Sequence, residues 1–229
     1  LRDFRIDLTT NIDQASFKGF TANNIKGYAV YTQGEAVNLH QQFEIAQKGK
    51  VSLDGEINPF NKNLDLKIIS EKLPLTLLKD AVNMVSSIEG KAGGQFQIKG
   101  TLEDPVLAGD FSFAGQNLDF GLPEKFNEFS GQLKLKDDYI DIISLKGKYS
   151  DSGFRVDGKI NPFNQKRFWD LVISGKNLPF KHGSFRGKFD TKEVKVTGGL
   201  TKPYIAGKLK THDFVASMPF EWPTSDEEI

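Results

Sequence analysis

A chain of 229 residues carries thirty basic and thirty acidic side chains, so its formal net charge is zero, and 38% of it is apolar. That balance excludes the basic excess of a phosphate-neutralising nucleic-acid binder and the apolar poverty of a disordered chain. Without cysteine there is no disulfide, thiolate zinc site or cysteine nucleophile, and the composition suits an oxidising, extracytoplasmic compartment.

In chain order, the first pattern is a strand: Phe4, Ile6 and Leu8 alternate with Arg5 and Asp7, and period two puts alternate side chains on opposite faces. No signal peptide precedes it, and no run approaches the roughly 18 apolar residues of a spanning helix. The chain therefore reads as a piece of a longer protein, with residues 1–23 as a leading strand segment and any anchor elsewhere. Further on, Leu64, Leu66 and Ile68 alternate with Asp65 and Lys67. From Pro74 the period changes. Leu75, Leu77, Leu78, Ala81, Val82 and Val85 recur at helical spacing, with Gly90 just beyond, so one short amphipathic helix is expected over residues 74–88, packed on the sheet.

Period two then resumes and holds to the end. Phe96 and Ile98, Phe111 and Phe113, Leu133 and Leu135, Ile140 and Ile142, Phe154 and Val156, and Val194 and Val196 each flank one polar residue. Turn residues punctuate these runs at Asn58-Pro59, Asp104-Pro105, Ser150 to Gly153, Asn161-Pro162 and Lys202-Pro203, the grammar of antiparallel hairpins. The fold class is mainly β.

The chain also repeats itself. Gly55-Glu-Ile-Asn-Pro-Phe-Asn61 returns as Gly158-Lys-Ile-Asn-Pro-Phe-Asn164, and Gly100 to Gly109 returns as Gly198 to Gly207, with Pro105 over Pro203. Two units are expected, residues 24–121 with the helical insertion and residues 122–229 with an acidic tail, in one continuous elongated domain.

Chemistry is hard to find. His40, His182 and His212 stand in unrelated contexts, no glycine-rich loop joins a strand to a helix, and no carboxylates cluster in the manner of a hydrolase. Asp137 and Asp138 suit a hairpin turn, Asp141 faces outward, and Asp226 to Glu228 is an exposed end. Neither an enzyme, a cofactor, a metal nor nucleic acid is expected. What remains is a face of Phe, Leu, Ile and Val on almost every strand, bounded by glycines. Two arrangements satisfy it: a sandwich whose apolar faces pack together, or a curled sheet that leaves an apolar groove running between repeats. Composition does not separate them.

The glycine-framed pattern Gly90-x9-Gly100-Thr-Leu-x-Asp-Pro105-Val-Leu-x-Gly109-x-Phe-x-Phe113 resembles the C-terminal region of the TamB proteins of the AsmA-like family. Leu118-Asp-Phe120, Phe129-Ser-Gly131-x-Leu-x-Leu135 and Phe154-x-Val-x-Gly158-x-Ile160 continue it, whereas the copy from Gly198 to Leu209 has Lys202 in place of the corner aspartate. The resemblance covers about Ile25 to Phe220. It implies an elongated, taco-shaped repeating β-groove with an apolar concave face. It also implies a place in the periplasm of a double-membrane bacterium, with an inner-membrane anchor outside this sequence and an outer-membrane barrel partner of the TamA type. The family is implicated in phospholipid transport and in outer-membrane protein assembly and secretion, and a chloroplast-envelope branch shares the architecture.

On this basis the expected activity is shielding of phospholipid or fatty acyl chains between two membranes. The residues expected to line the groove are Phe96, Ile98, Phe111, Phe113, Leu133, Leu135, Ile140, Ile142, Phe154, Val156, Ile160, Val194, Val196, Ile205 and Leu209. A chaperone-like module that takes extended strands of outer-membrane or autotransporter clients uses the same residues. A plain structural sandwich predicts no cavity.

Overall fold

A computed structural model describes residues 4–216 except 18–19, 46–48, 78–84, 123, 163 and 165. Fourteen strands form one antiparallel sheet. They are β1 (Arg5–Phe17), β2 (Phe20–Thr32), β3 (Val37–Ile45), β4 (Gly49–Ile57), β5 (Asn63–Pro74), β6 (Ser87–Thr101) and β7 (Pro105–Asp119). The sheet continues through β8 (Phe126–Lys136), β9 (Tyr139–Tyr149), β10 (Ser152–Ile160), β11 (Trp169–His182), β12 (Phe185–Gly198), β13 (Pro203–Gly207) and β14 (Lys210–Ala216). Each strand pairs with the next up to β13, and β14 returns to β12 beside it. Through β13 the chain is thus a meander, the topology that local hairpin turns generate without crossovers.

Every substantial contact between strands is between hydrogen-bonded neighbours; no described strand packs face to face on another. The packed-sandwich arrangement is not what forms. Exposed surface totals 16295 Å², against roughly 10,400 Å² for a compact monomer of this mass. One open sheet with an apolar side fits a groove curled toward that side. On it, Ala92 is buried in the cluster around Leu75 and Gly131 beneath the Phe113 ring, whereas Ala108 and Ala114 on the other side are exposed.

Register irregularities supply the curl. They include shifts between Asn23 and Lys26, Ser70 and Leu73, Gln132 and Leu133, Val156 and Gly158, and Ile173 and Leu178, and a bulge bends a strand and steepens its twist. The repeated motifs occupy like positions six strands apart. Gly55 in β4 and Gly158 in β10 have φ of 140° and 132°, Gly100 and Gly198 have 96° and 95°, and Lys72 and Asn177 both have 53°. Between the two segments, at the turn joining β7 to β8, the sheet continues without a break.

The helix expected over 74–88 falls in its middle, residues 78–84, outside the described residues. Its ends are strand instead: Pro74 pairs with Lys91, and Ser87 pairs with Asp119 at the start of β6. The apolar periodicity there serves a buried contact. Leu75, Val85 and Ile88 form a cluster with Ala92 and Phe129, and Phe111, Phe113 and Leu118 pack against it. This is the sheet's largest buried knot, and it covers one end of β6–β8.

Candidate functional site: an uncharged sheet face

Cross-strand partners in a sheet share a face, so the register identifies every side chain on the apolar side. One row runs Leu53, Ile68, Phe96, Gly109, Leu135, Ile140, Ile160, Trp169 and Gly198. Another runs Phe113, Gly131, Leu145, Val156, Ile173, Val194 and Gly207. From β3 to β13 the paired positions of this face contain no aspartate, glutamate, lysine or arginine. From β1 to the shared row of β13 and β14 there are twelve steps of about 4.8 Å, so the face runs for roughly 58 Å.

Phenylalanine rings tile this face because glycines lie beside them. Phe113 stands opposite Gly131, Phe154 opposite Gly147, Phe96 opposite Gly109 and Phe180 opposite Gly187. A Cβ at Gly131 would lie 2.4 Å from the Phe113 ring, and one at Gly187 would lie 2.9 Å from that of Phe180. The rings therefore fold down over bare backbone and meet edge-on or tilted: Phe113 and Phe129 centroids are 6.1 Å apart, Phe126 and Phe154 5.2 Å. The surface that results is low and continuous.

The structure places the expected lining residues on this one face: Phe96 and Ile98 in β6, Phe111 and Phe113 in β7, Leu133 and Leu135 in β8, Ile140 and Ile142 in β9. Phe154, Val156 and Ile160 follow in β10, Val194 and Val196 in β12 and Ile205 in β13. Leu209 differs. It lies between β13 and β14, outside either strand. Phe111 and Phe113 pack partly under the Leu75–Ile88 cluster, so that end is covered. Ile142, Val156 and Leu178 are buried with no strand stacked over them. Sequence alternation overlooked all of β11, where Leu171, Ile173, Leu178 and Phe180 join the face. It also left out Leu39 and Leu53 in the first strands, while Leu66, in the alternating run with Leu64 and Ile68, was not among the expected lining residues.

The opposite face is charged and largely self-neutralising. Lys99 lies 3.3 Å from Asp65, Lys148 3.0 Å from Glu128 and Lys136 2.6 Å from Asp141, and His40 pairs with Asp54. Asp141 does face this side, but Lys136 and Lys159 enclose it rather than open solvent. The hydrogen bond from Lys136 holds its carboxyl below the ordinary range; burial opposes the shift, and the charges of Lys136, Lys159 and Lys134 add to it. Asp190 is likewise lowered, first by the backbone N–H of Asn177, against burial, and further by His212. Among the described residues no three imidazole or carboxylate groups converge as metal ligands, and no described helix is long and apolar enough to cross a membrane.

Fold and face together define an open β-groove protein with an uncharged trough on one side of its sheet. No family model matches the chain, and no solved structure matches it. The chain is 25% identical over 151 residues to Protein TIC236, chloroplastic, of Arabidopsis thaliana, a match that covers 64% of this chain and 7% of that protein. The chain thus corresponds to a small part of a far longer relative.

Proposed function

We propose that this chain is a non-enzymatic segment of a conduit in a two-membrane envelope, where its trough shields the acyl chains of phospholipids in transit. One observation carries the reading: a sheet face free of charged side chains from β3 to β13, ten steps or roughly 48 Å, with no second layer of described strands upon it. That length is about three times the roughly 15 Å hydrocarbon depth of one leaflet. Eight methylenes removed from water hold a chain by about 6 kcal/mol. With no fixed polar group to set a register, the chain is free to slide, and its head group stays in water at the open side. The match to a chloroplastic protein supports a setting in an organelle bounded by two membranes; a bacterial envelope with an outer-membrane barrel partner is the other setting this reading allows.

The test is the paired substitution Phe96→Asp and Phe154→Asp. Both side chains are half-buried on the trough. In an open groove the carboxylates reach water, so acyl binding is lost while the far-ultraviolet circular dichroism is unchanged. Retained lipid binding, or outright unfolding, contradicts the proposal.

A further inference from the structure

The turns at one rim of the sheet are not equivalent in charge. In the first unit, Lys62 pairs with Glu103 beside Asp104. In the second, residues 161–169 and 194–212 contain no carboxylate at all. These two stretches meet in space. Ile160 pairs with Trp169, Trp169 with Gly198, and Gly198 with Pro203, so the turn before β11 and the turn before β13 stand about 10 Å apart.

Together they present Lys166, Arg167 and Lys202, all exposed. The ion pairs nearby, Arg155–Asp157, Lys195–Glu193 and His212–Asp190, use none of these three cations. The first turn is built rather than slack: Asn161 Nδ2 donates to the Arg167 carbonyl, and Asn164 Oδ1 accepts from the Lys166 and Arg167 amides. Around the cations stand Leu200, 44% exposed, and Tyr204, 69% exposed, beside the half-buried Phe168–Trp169 ring pair with centroids 4.5 Å apart.

We propose that this rim, formed by the β10–β11 and β12–β13 turns, docks on an anionic phospholipid bilayer. Lysine and arginine meet the negative surface, Leu200 enters the interface, and Trp169 and Tyr204 sit at head-group level, the position that amphipathic rings favour. A protein partner fits less well, since interface cores are depleted of lysine. The two turns carry three cations and no carboxylate of their own, and the nearest carboxylates are Asp170, directly after Trp169, and Asp137 and Asp138 in the β8–β9 turn two strand steps along the rim. The inference rests on the rim alone and does not need the trough to carry lipid.

Co-sedimentation with phosphatidylglycerol–phosphatidylcholine vesicles, compared with phosphatidylcholine vesicles, tests it. Wild type should bind the anionic vesicles only. Each basic residue near such a surface contributes roughly a fivefold factor, so Lys166→Gln/Arg167→Gln/Lys202→Gln should weaken binding about a hundredfold. Leu200→Ser should weaken it several-fold. Lys67→Gln/Lys91→Gln/Lys146→Gln, with the same charge change on the outer face, should bind within a few-fold of wild type. Phe96→Asp/Phe154→Asp should dock normally, which separates failure of the rim from failure of the trough. Equal loss in both lysine sets, or no preference of wild type for anionic vesicles, overturns the proposal.

Discussion

Replacing Gly131 by alanine should destabilise the sheet through one ring. The new Cβ would lie 2.4, 2.7 and 3.1 Å from three atoms of the Phe113 ring, which are the three nearest atoms around it. Phe113 must swing away from its packing with Phe129 and the Leu75 cluster. Overpacking of this kind costs about 1–3 kcal/mol, while loss of glycine's unfolded-state freedom returns about 0.4–1 kcal/mol. The net loss of about 1–2 kcal/mol lowers Tm by about 3–6 °C for a chain of this size. Gly153→Ala is the internal control: nothing lies within 4 Å of its Cβ position, so it should be neutral or slightly stabilising. Adding Phe113→Leu to Gly131→Ala should recover at least about 0.5 kcal/mol relative to the sum of the single changes, as coupled neighbours do. Thermal and urea unfolding followed by circular dichroism give all four values. If Gly131→Ala is as stable as Gly153→Ala, the ring-over-glycine account of the face is wrong.

Gly55→Ala and Gly158→Ala should each cost about 2–4 kcal/mol and match one another. Both glycines have positive φ, and their Cβ atoms would meet the carbonyl oxygens of Asp65 and Asp170 at 2.0 and 2.2 Å; a well-tolerated substitution at one but not the other would end the structural equivalence of the two segments. Acid should weaken the fold in a defined direction. Asp119, Asp141, Asp157 and Asp190 are all held below their ordinary value of 3.8, so their contribution is complete above that value and disappears as pH falls through the lower folded-state values. Asp141→Asn should therefore shrink the fall in urea midpoint between neutral pH and the acid limb, and an unchanged fall would show that the Lys136–Asp141–Lys159 group is idle.

Much of this was legible in the sequence, and the parts that were not have physical reasons. Strict alternation identified the shared face in β6 to β10 because pairs such as Phe96 and Ile98, Phe111 and Phe113, and Phe154 and Val156 each flank one polar residue. In β11 the run Leu171-Val172-Ile173 is apolar on both sides, and Pro179 separates Leu178 from Phe180. Alternation is silent there, although these residues complete the face. The helical period after Pro74 was real as a pattern, but its described ends belong to strands and to a cluster buried on the sheet. Periodicity also says which residues share a face, never what covers it. The choice between sandwich and groove needed the topology: a meander whose substantial strand contacts are all between hydrogen-bonded neighbours leaves the apolar side without a facing layer of described strands. Glycines scattered through the strands gained meaning only once register put Gly131 beneath Phe113 and Gly147 beneath Phe154.

The measurement that bears most directly on the central claim is mass spectrometry of the purified protein, first native and then after solvent extraction. The account predicts co-purified phospholipid or fatty acid, absent from the Phe96→Asp/Phe154→Asp variant. A lipid-free, monomeric wild type that also binds no apolar dye would contradict it.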